Sequence, residues 1–596
     1  MELEEFMIES ASPVPVASRL VVAAWLALAG AYGCGGDSAP TAPPQAVETL
    51  VLDRTSVLLA TQGHVQLKPT GRTHDGQTVA NMVVSWTANG SAVSVSPDGV
   101  VTGVGPGTAT VTATVADRSA SAVVTVVRGA PGTLAMNYPA PTIALGQAVN
   151  LQAIAFDPDG VGSVASDASW STSNGTVAQV DAQGHVTGVA PGAATVTVTS
   201  GGRTSIASMT VVSFDAIVPM GISDSESLVA PEYLPDSRSK TAICGLATTG
   251  RLYCAGQGYG NLAIPVGDSL QFSDLTAGSN DFCALTHDGT AYCWEIGRAP
   301  EPIGTNLRFR SLTVARSDAA HLTIACGIAT TGDSYCWGNA PGGRLGNGTF
   351  TVSLTPVQVQ APVPFVQLVT HTFVTCGRTG DGKVFCWGGQ NIYPPNIGVS
   401  NLGVLGAGNW TDSSAVPLPI ASSETFSQLI DGGNWGTCAI SAVSQKLYCW
   451  GGMENQPYFE QGLCLPGNHP CAYSPAEIVT DLRFTSVATT NEGYCGVTTA
   501  SSLACWGVSA WGTDNFGVVS RTLPMCGILP CYKAPTTTIT DPHFAKLFGR
   551  ESSNLCALDV AGRALCWGPN AAGQLTDSTV KVGTPLPTVF SLDPSR

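Results

Sequence analysis

Seven times between residues 244 and 566 the chain sets two cysteines ten or eleven residues apart, and this periodicity limits the fold more than any other feature. The pairs are Cys244 and Cys254, Cys283 and Cys293, Cys326 and Cys336, Cys376 and Cys386, Cys438 and Cys449, Cys495 and Cys505, and Cys556 and Cys566. In five of them a glycine stands six places after the first cysteine: Gly250, Gly289, Gly332, Gly382 and Gly562. A hairpin whose three-residue loop ends in a left-handed glycine, such as Thr248-Thr249-Gly250, pairs Ala247 with Arg251 and brings Cys244 opposite Cys254. Directly opposed residues have Cβ atoms ~4.5 to 5.5 Å apart, within reach of a disulfide after small adjustment. Each unit is therefore expected to be a stapled hairpin.

Parity supports this pairing. Of 19 cysteines, 14 belong to the hairpins, and Cys464 with Cys471 and Cys526 with Cys531 each lie inside one long insertion. Nine local disulfides then leave only Cys34. Zinc would need four converging ligands, and no Cys-x-x-Cys pair or cysteine cluster with spaced histidines is present.

Other elements repeat with the cysteines. The second one is followed by Trp-Gly at 337–338, 387–388, 450–451, 506–507 and 567–568, by Trp294 alone in the second unit, and by Ala255-Gly256 in the first. A Phe-x-x-Leu or Phe-x-x-Val strand precedes six units, starting at Phe272, Phe309, Phe365, Phe426, Phe484 and Phe544. With Pro-initiated strands such as Pro356-Val357-Gln358-Val359, each unit holds the four strands of a propeller blade. The recurrent Trp reads as blade packing, because a ligand site seldom repeats in every unit.

These residues resemble regulator-of-chromosome-condensation repeats, in a bacterial form with paired cysteines. The signature is carried by Trp337-Gly338-Asn339 with Gly342-Gly343-Arg344-Leu345-Gly346, and in part by Trp567-Gly568 with Gly573-Gln574-Leu575. The resemblance covers residues 214–596 and implies a seven-bladed β-propeller. No Phe-x-x-Leu strand is apparent before Cys244, while residues 585–592 read like the missing half-blade. They are expected to close the ring by pairing with the blade of Cys244 and Cys254.

Upstream, two segments share one spacing about 84 residues apart. Trp86 is followed by Val93, Val95, Gly99, Val101, Gly103, Gly107 and Val111, and Trp170 by Val177, Val180, Gly184, Val186, Gly188, Gly192 and Val196. Alternating Val and Thr, as in 108–115, put apolar side chains on one sheet face and hydroxyls on the other. The segments resemble bacterial immunoglobulin-like group 2 domains, over 46–128 and 132–213, and imply two β-sandwich spacers. The whole chain is thus read as all-β. Asp157-Pro158-Asp159-Gly160 reads as a turn, since the later ligands of a calcium loop are missing.

At the amino terminus, the apolar run Leu20 to Ala31 precedes Ala31-Tyr32-Gly33-Cys34 and a Pro- and Ala-rich linker over 35–45. The run is too short to span a bilayer, and residues 1–34 resemble a lipoprotein signal peptide with Cys34 as the lipidated residue. The alternative is ordinary cleavage after Ala29 or Ala31, leaving Cys34 a free thiol. Gly35 after the cysteine favours the outer membrane or cell surface over the periplasm.

The net charge of −16, with only 26 scattered Lys and Arg, argues against nucleic acid. None of the eight histidines sits in a metal-ligand spacing, and no nucleophile elbow or phosphate loop occurs. His287-Asp288 reads as a turn tip. No catalytic, metal or cofactor site is assigned. The insertions 391–409, 452–474 and 508–536 interrupt the period, and Tyr458, Phe459, Tyr473, Trp511 and Tyr532 are aromatic anchors suited to an interface. The expected function is a monomeric, extracytoplasmic, non-catalytic binding protein that grips a protein or a glycan. Eukaryotic relatives exchange nucleotide on the Ran GTPase, which an exported chain would not meet. The rivals are a polysaccharide hydrolase or lyase, which needs paired carboxylates on one propeller face, and a structural scaffold.

Overall fold

The computed structural model describes residues 46–595, except 221–240, 268, 279–280, 305, 316–323, 339–341, 372, 390–402, 409–412, 432–435, 453–470, 490–492, 509–524, 527–528, 550–553, 571–572 and 577–582. Among the described residues there are strands, turns and bends but no helix.

Two β-sandwiches come first. In each, a four-stranded sheet packs on smaller ones: Ser56–Ala60, Arg118–Val127, Gly107–Val115 and Ser85–Asn89 in the first, and Thr142–Ala144, Arg203–Val212, Gly192–Ser200 and Ser169–Thr172 in the second. The alternation of Val and Thr sets the faces. Ala109, Val111 and Ala113 are buried, while Thr108 and Thr110 are exposed. The repeated Trp-to-Gly spacing also has a cause. A Cβ on Gly99 would lie 2.6 Å from the Trp86 ring, and one on Gly184 2.8 Å from Trp170, and both glycines hold a left-handed φ.

Seven blades follow, each an antiparallel sheet; six have four strands in chain order from the axis outward, and in the sixth blade Met525–Cys526 adds a fifth strand outside Leu529–Ile539. The innermost strands are Phe214–Met220, Phe272–Ala277, Phe309–Val314, Phe365–Thr370, Phe426–Asp431, Phe484–Thr489 and Phe544–Phe548. In the second and third strands every cysteine stands directly opposite its partner. All seven pairs are disulfide-bonded, with Cα atoms 4.0–4.1 Å apart. Where the turn glycine is missing, Ser501 and Gln445 adopt its left-handed conformation instead. Thirteen of the fourteen sulfur-bearing residues are buried.

Phe and Trp then join the blades. Within a blade the leading Phe packs against the Trp after the second cysteine, as Phe365 does on Trp387 with ring centres 5.6 Å apart. Both rings cover the disulfide of the preceding blade: Phe365 and Trp387 share one buried cluster with Cys326 and Cys336.

Ring closure departs from the sequence expectation in two ways. Residues Gly583–Val589 pair with Ala564–Pro569, forming the outer strand of their own blade and not a strand of the first. The first blade is complete without them, because Phe214–Met220 supplies its innermost strand by pairing with Ala242–Ala247. Phe214 and Ile217 carry the same Phe-x-x-apolar spacing as the other blades, but residues 221–241 separate them from Cys244. The tail meets the first blade through a single parallel bridge, Leu592 beside Ala263, and through one ring. Position 255, a Trp in later blades, is Ala, and Phe590 packs edge-on against Phe214 at 5.7 Å.

Candidate binding face

Because the strands of a blade alternate in direction, its four connections sort to two ends of the ring. The hairpin turns and the links from one blade to the next share one end, where no connection between described strands exceeds six residues. Links from first to second strand and from third to outer strand share the other. There the connections span 221–241, 390–412, 453–470 and 509–524. Loops on a rigid scaffold are where recognition surfaces reside.

At the hairpin end the carboxylates are consumed by the turns. Asp288 accepts hydrogen bonds from the Thr286 and Thr290 hydroxyls and from Thr290 N, with Arg308 3.5 Å away, and these hold its carboxyl down at about 2. The Thr379 hydroxyl, and then Lys383, likewise hold Asp381 below its usual range. Asp333 accepts from Thr331 and Gln358. Each stabilises its own turn.

The second sandwich also joins at this end. Ser213 alone separates its last strand from the first blade. Its hydroxyl lies 3.3 Å from that of Thr248 in the first hairpin turn. At the seventh hairpin, a Cβ on Gly146 would meet the Arg563 side chain at 2.9 Å.

The loop end has its own joint, read only in part from the sequence. Gly343-Arg344-Leu345-Gly346 leaves the third blade and packs on the outer strand of the fourth, where a Cβ on Gly343 would lie 2.9 Å from Ala415 Cα. Trp387 Nε1 donates to Arg344 O at 2.9 Å. The segment Gly403-Val404-Leu405-Gly406 does the same between the fourth and fifth blades, against Tyr473. Sequence reading missed that copy, since it lies ten residues further from its Trp-Gly than the first.

Of the aromatic anchors, Tyr473 lies in the outer strand Cys471–Glu477, half-buried, with its carbonyl accepting from Gly408 N at 2.8 Å and burial pushing its phenol up. It belongs to the base of the insertions. Tyr458, Phe459, Trp511, Cys34 and Cys464 lie outside the described residues, as do the side chains of Cys471, Cys526, Cys531 and Tyr532. Among the described residues no three His, Cys, Asp or Glu side chains converge as a metal site would require. Asp157 accepts from Asp159 N and Val161 N, which makes 157–161 a closed turn.

Comparison with known proteins agrees with this architecture. Residues 46–126 and 135–211 match the bacterial Ig-like domain (group 2). The mitochondrial RCC1 domain-containing protein RUG3 of Arabidopsis thaliana is 26% identical over 318 residues, 48% of this chain and 64% of that protein. The ring is an RCC1-like propeller behind two bacterial Ig-like domains. The human E3 ubiquitin-protein ligase HERC2 is 29% identical over 25% of this chain, which spans only 4% of that ligase. Prp20p of Saccharomyces cerevisiae, in a structure described with its binding to Gsp1p and histones, aligns at 15% identity and a TM-score of 0.46. That alignment covers 58% of this chain and 87% of Prp20p. The RCC1-like propeller and the Ig-like domains are characteristic of a binding or scaffold protein.

Proposed function

We propose that this chain is an extracytoplasmic, non-catalytic binding protein whose partner, a protein or a glycan, docks on the loop end of the RCC1-like propeller. The observation that carries the reading is the asymmetry of the ring. Every long connection leaves from one end, whereas the tight stapled turns and the second Ig-like domain occupy the other. Seven disulfides and bacterial Ig-like domains support life outside the reducing cytosol. In this reading the Ig-like domains, over 46–128 and 132–213, hold the propeller of 214–596 away from a surface to which a lipid on Cys34 tethers it. No cofactor takes part.

The test is chemical cross-linking on intact cells, with the native chain beside variants in which 390–402, 453–470 or 509–524 is replaced by a short Gly-Ser bridge. Shortening should abolish capture of the partner in at least one variant, while Asp333→Ala at the hairpin end leaves capture unchanged. Capture by all three shortened chains equal to that of the native chain would overturn the assignment of the face.

A further inference from the structure

Three junctions between innermost strands share one contact. The residue two places after the leading Phe reaches the next blade and accepts a hydrogen bond from the backbone N–H three places after the next Phe. Asp274 accepts from Leu312 N at 3.4 Å, Gln367 from Leu429 N at 3.0 Å, and Ser486 from Leu547 N at 3.2 Å. Gln367 also donates to Leu429 O at 2.9 Å. At the two junctions flanking the first blade the corresponding residues are Lys546 and Ala216. An ammonium has only donors and a methyl has neither donor nor acceptor, so neither can make this bond. The first blade also has Ala255 where later blades have Trp. The seam between the seventh and first blades thus combines Lys546, which cannot accept this bond, with Ala255 in place of the Trp.

The seam is held by other means. Residues 590–593 run along it: Phe590 N donates to Ala564 O in the seventh blade, Ala263 N of the first blade donates to Ser591 O, and Asp593 N donates to Ala263 O. This tail is gripped from outside the ring. Gln147, in the second Ig-like domain and 6% exposed, accepts from Leu592 N at 2.9 Å and donates to Leu592 O at 2.8 Å. The Gln147 carbonyl oxygen is itself positioned by Ala144 N at 2.9 Å. Ala144 and Val212 of the Ig-like domain share one buried cluster with Phe214, Phe590, Leu592 and the disulfide Cys556–Cys566. The same two-point grip that Gln367 applies between blades is thus applied by Gln147 from another domain.

We propose that the second Ig-like domain is the clasp of the propeller, closing the ring through Gln147 and the tail, in addition to any role as a spacer. The domain arrives through a one-residue link, so it is held at the seam as soon as both parts fold. Its contact reinforces the single parallel bridge, Leu592 beside Ala263, by which the tail meets the first blade.

The test uses the full chain and hydrogen–deuterium exchange read by mass spectrometry. Gln147→Leu keeps the volume and removes both bonds. Exchange at 590–593 and at Ala263 should rise at least tenfold, while the blade of Cys376 and Cys386 stays unchanged. The double variant Q147L/K546Q gives the seventh blade the acceptor that Gln367 provides elsewhere, and should restore part of the protection at 214–220. Unchanged exchange at 590–593 in Q147L, or an equal rise in every blade, would leave the domain a spacer only. Should Q147L fail to fold, K546Q alone should slow exchange at 214–220 about threefold. No slowing there would equally overturn the proposal.

Discussion

Gly63 and Gly160, in different Ig-like domains, lie back to back with no room for a side chain between them: a Cβ on Gly63 would fall 2.9 Å from Gly160 O. Around this contact Ala60 N donates to Gly160 O at 2.8 Å and His64 N to Asp159 O at 2.9 Å. Residues 157–161, which read as a plain turn, are also the hinge plate between the domains. Gly63→Val should force the two sandwiches apart, at a cost of about 1 to 3 kcal/mol if the joint yields only in part. Small-angle scattering should then show a broader distribution of particle lengths. An unchanged profile would mean that the joint accommodates the valine.

The disulfides should not be equally reducible. Cys293 alone among the fourteen hairpin cysteines is half-buried, because the outer strand covering it, Glu301–Pro302, has two residues where other blades have six or more. Thiol exchange depends on access to the sulfur. Mild phosphine reduction followed by alkylation and peptide mapping should label Cys283 and Cys293 first among the seven hairpin pairs, with the other six protected until the ring unfolds.

Acid should loosen the hairpin end in a set order. The Asp288 carboxyl is held at about 2 in the folded chain, below an unfolded value of about 3.9. A depressed carboxylate stabilises the fold at pH values above its unfolded pKa, and that contribution is lost as pH falls through the folded one. Asp381, shifted the same way by Thr379, adds to the trend. The melting temperature should therefore fall between pH 4 and pH 2, and the difference between the native chain and Asp288→Asn should shrink over that range. A difference independent of pH would contradict the assignment.

Trp387 is fully buried, stacked on Phe365 and bonded to Arg344 O, so it joins two blades and the loop that crosses them. Trp387→Ala should cost about 3 to 5 kcal/mol in denaturant unfolding. Trp387→Phe keeps a ring on Phe365 but drops the donor, and should cost about 1 to 3 kcal/mol. Equal losses would assign the effect to the hydrogen bond alone.

Much of the fold is legible because its decisive contacts are short in sequence. Cys244 meets Cys254 across a turn whose length and left-handed residue set the register, and the same local geometry repeats in every blade. Trp86 and Gly99 announce the sandwich in the same way. The innermost strand at Phe214 was hidden by 221–241, and the Gly403-Val404-Leu405-Gly406 joint by the insertion before it, since a period cannot be followed through extra residues.

The blades, their staples and the two sandwiches can be read from the chain alone, because all of them rest on periodic burial and on contacts a few residues apart. How the ring closes, which end carries the loops and where the second Ig-like domain sits emerge only from the folded molecule. Those outcomes depend on meetings such as that of Gln147 with Leu592, 445 residues away, for which a pattern of neighbouring residues holds no register. The tail reads as a strand, and it is one, but it pairs with Ala564–Pro569 of its own blade and meets the first blade only at Ala263.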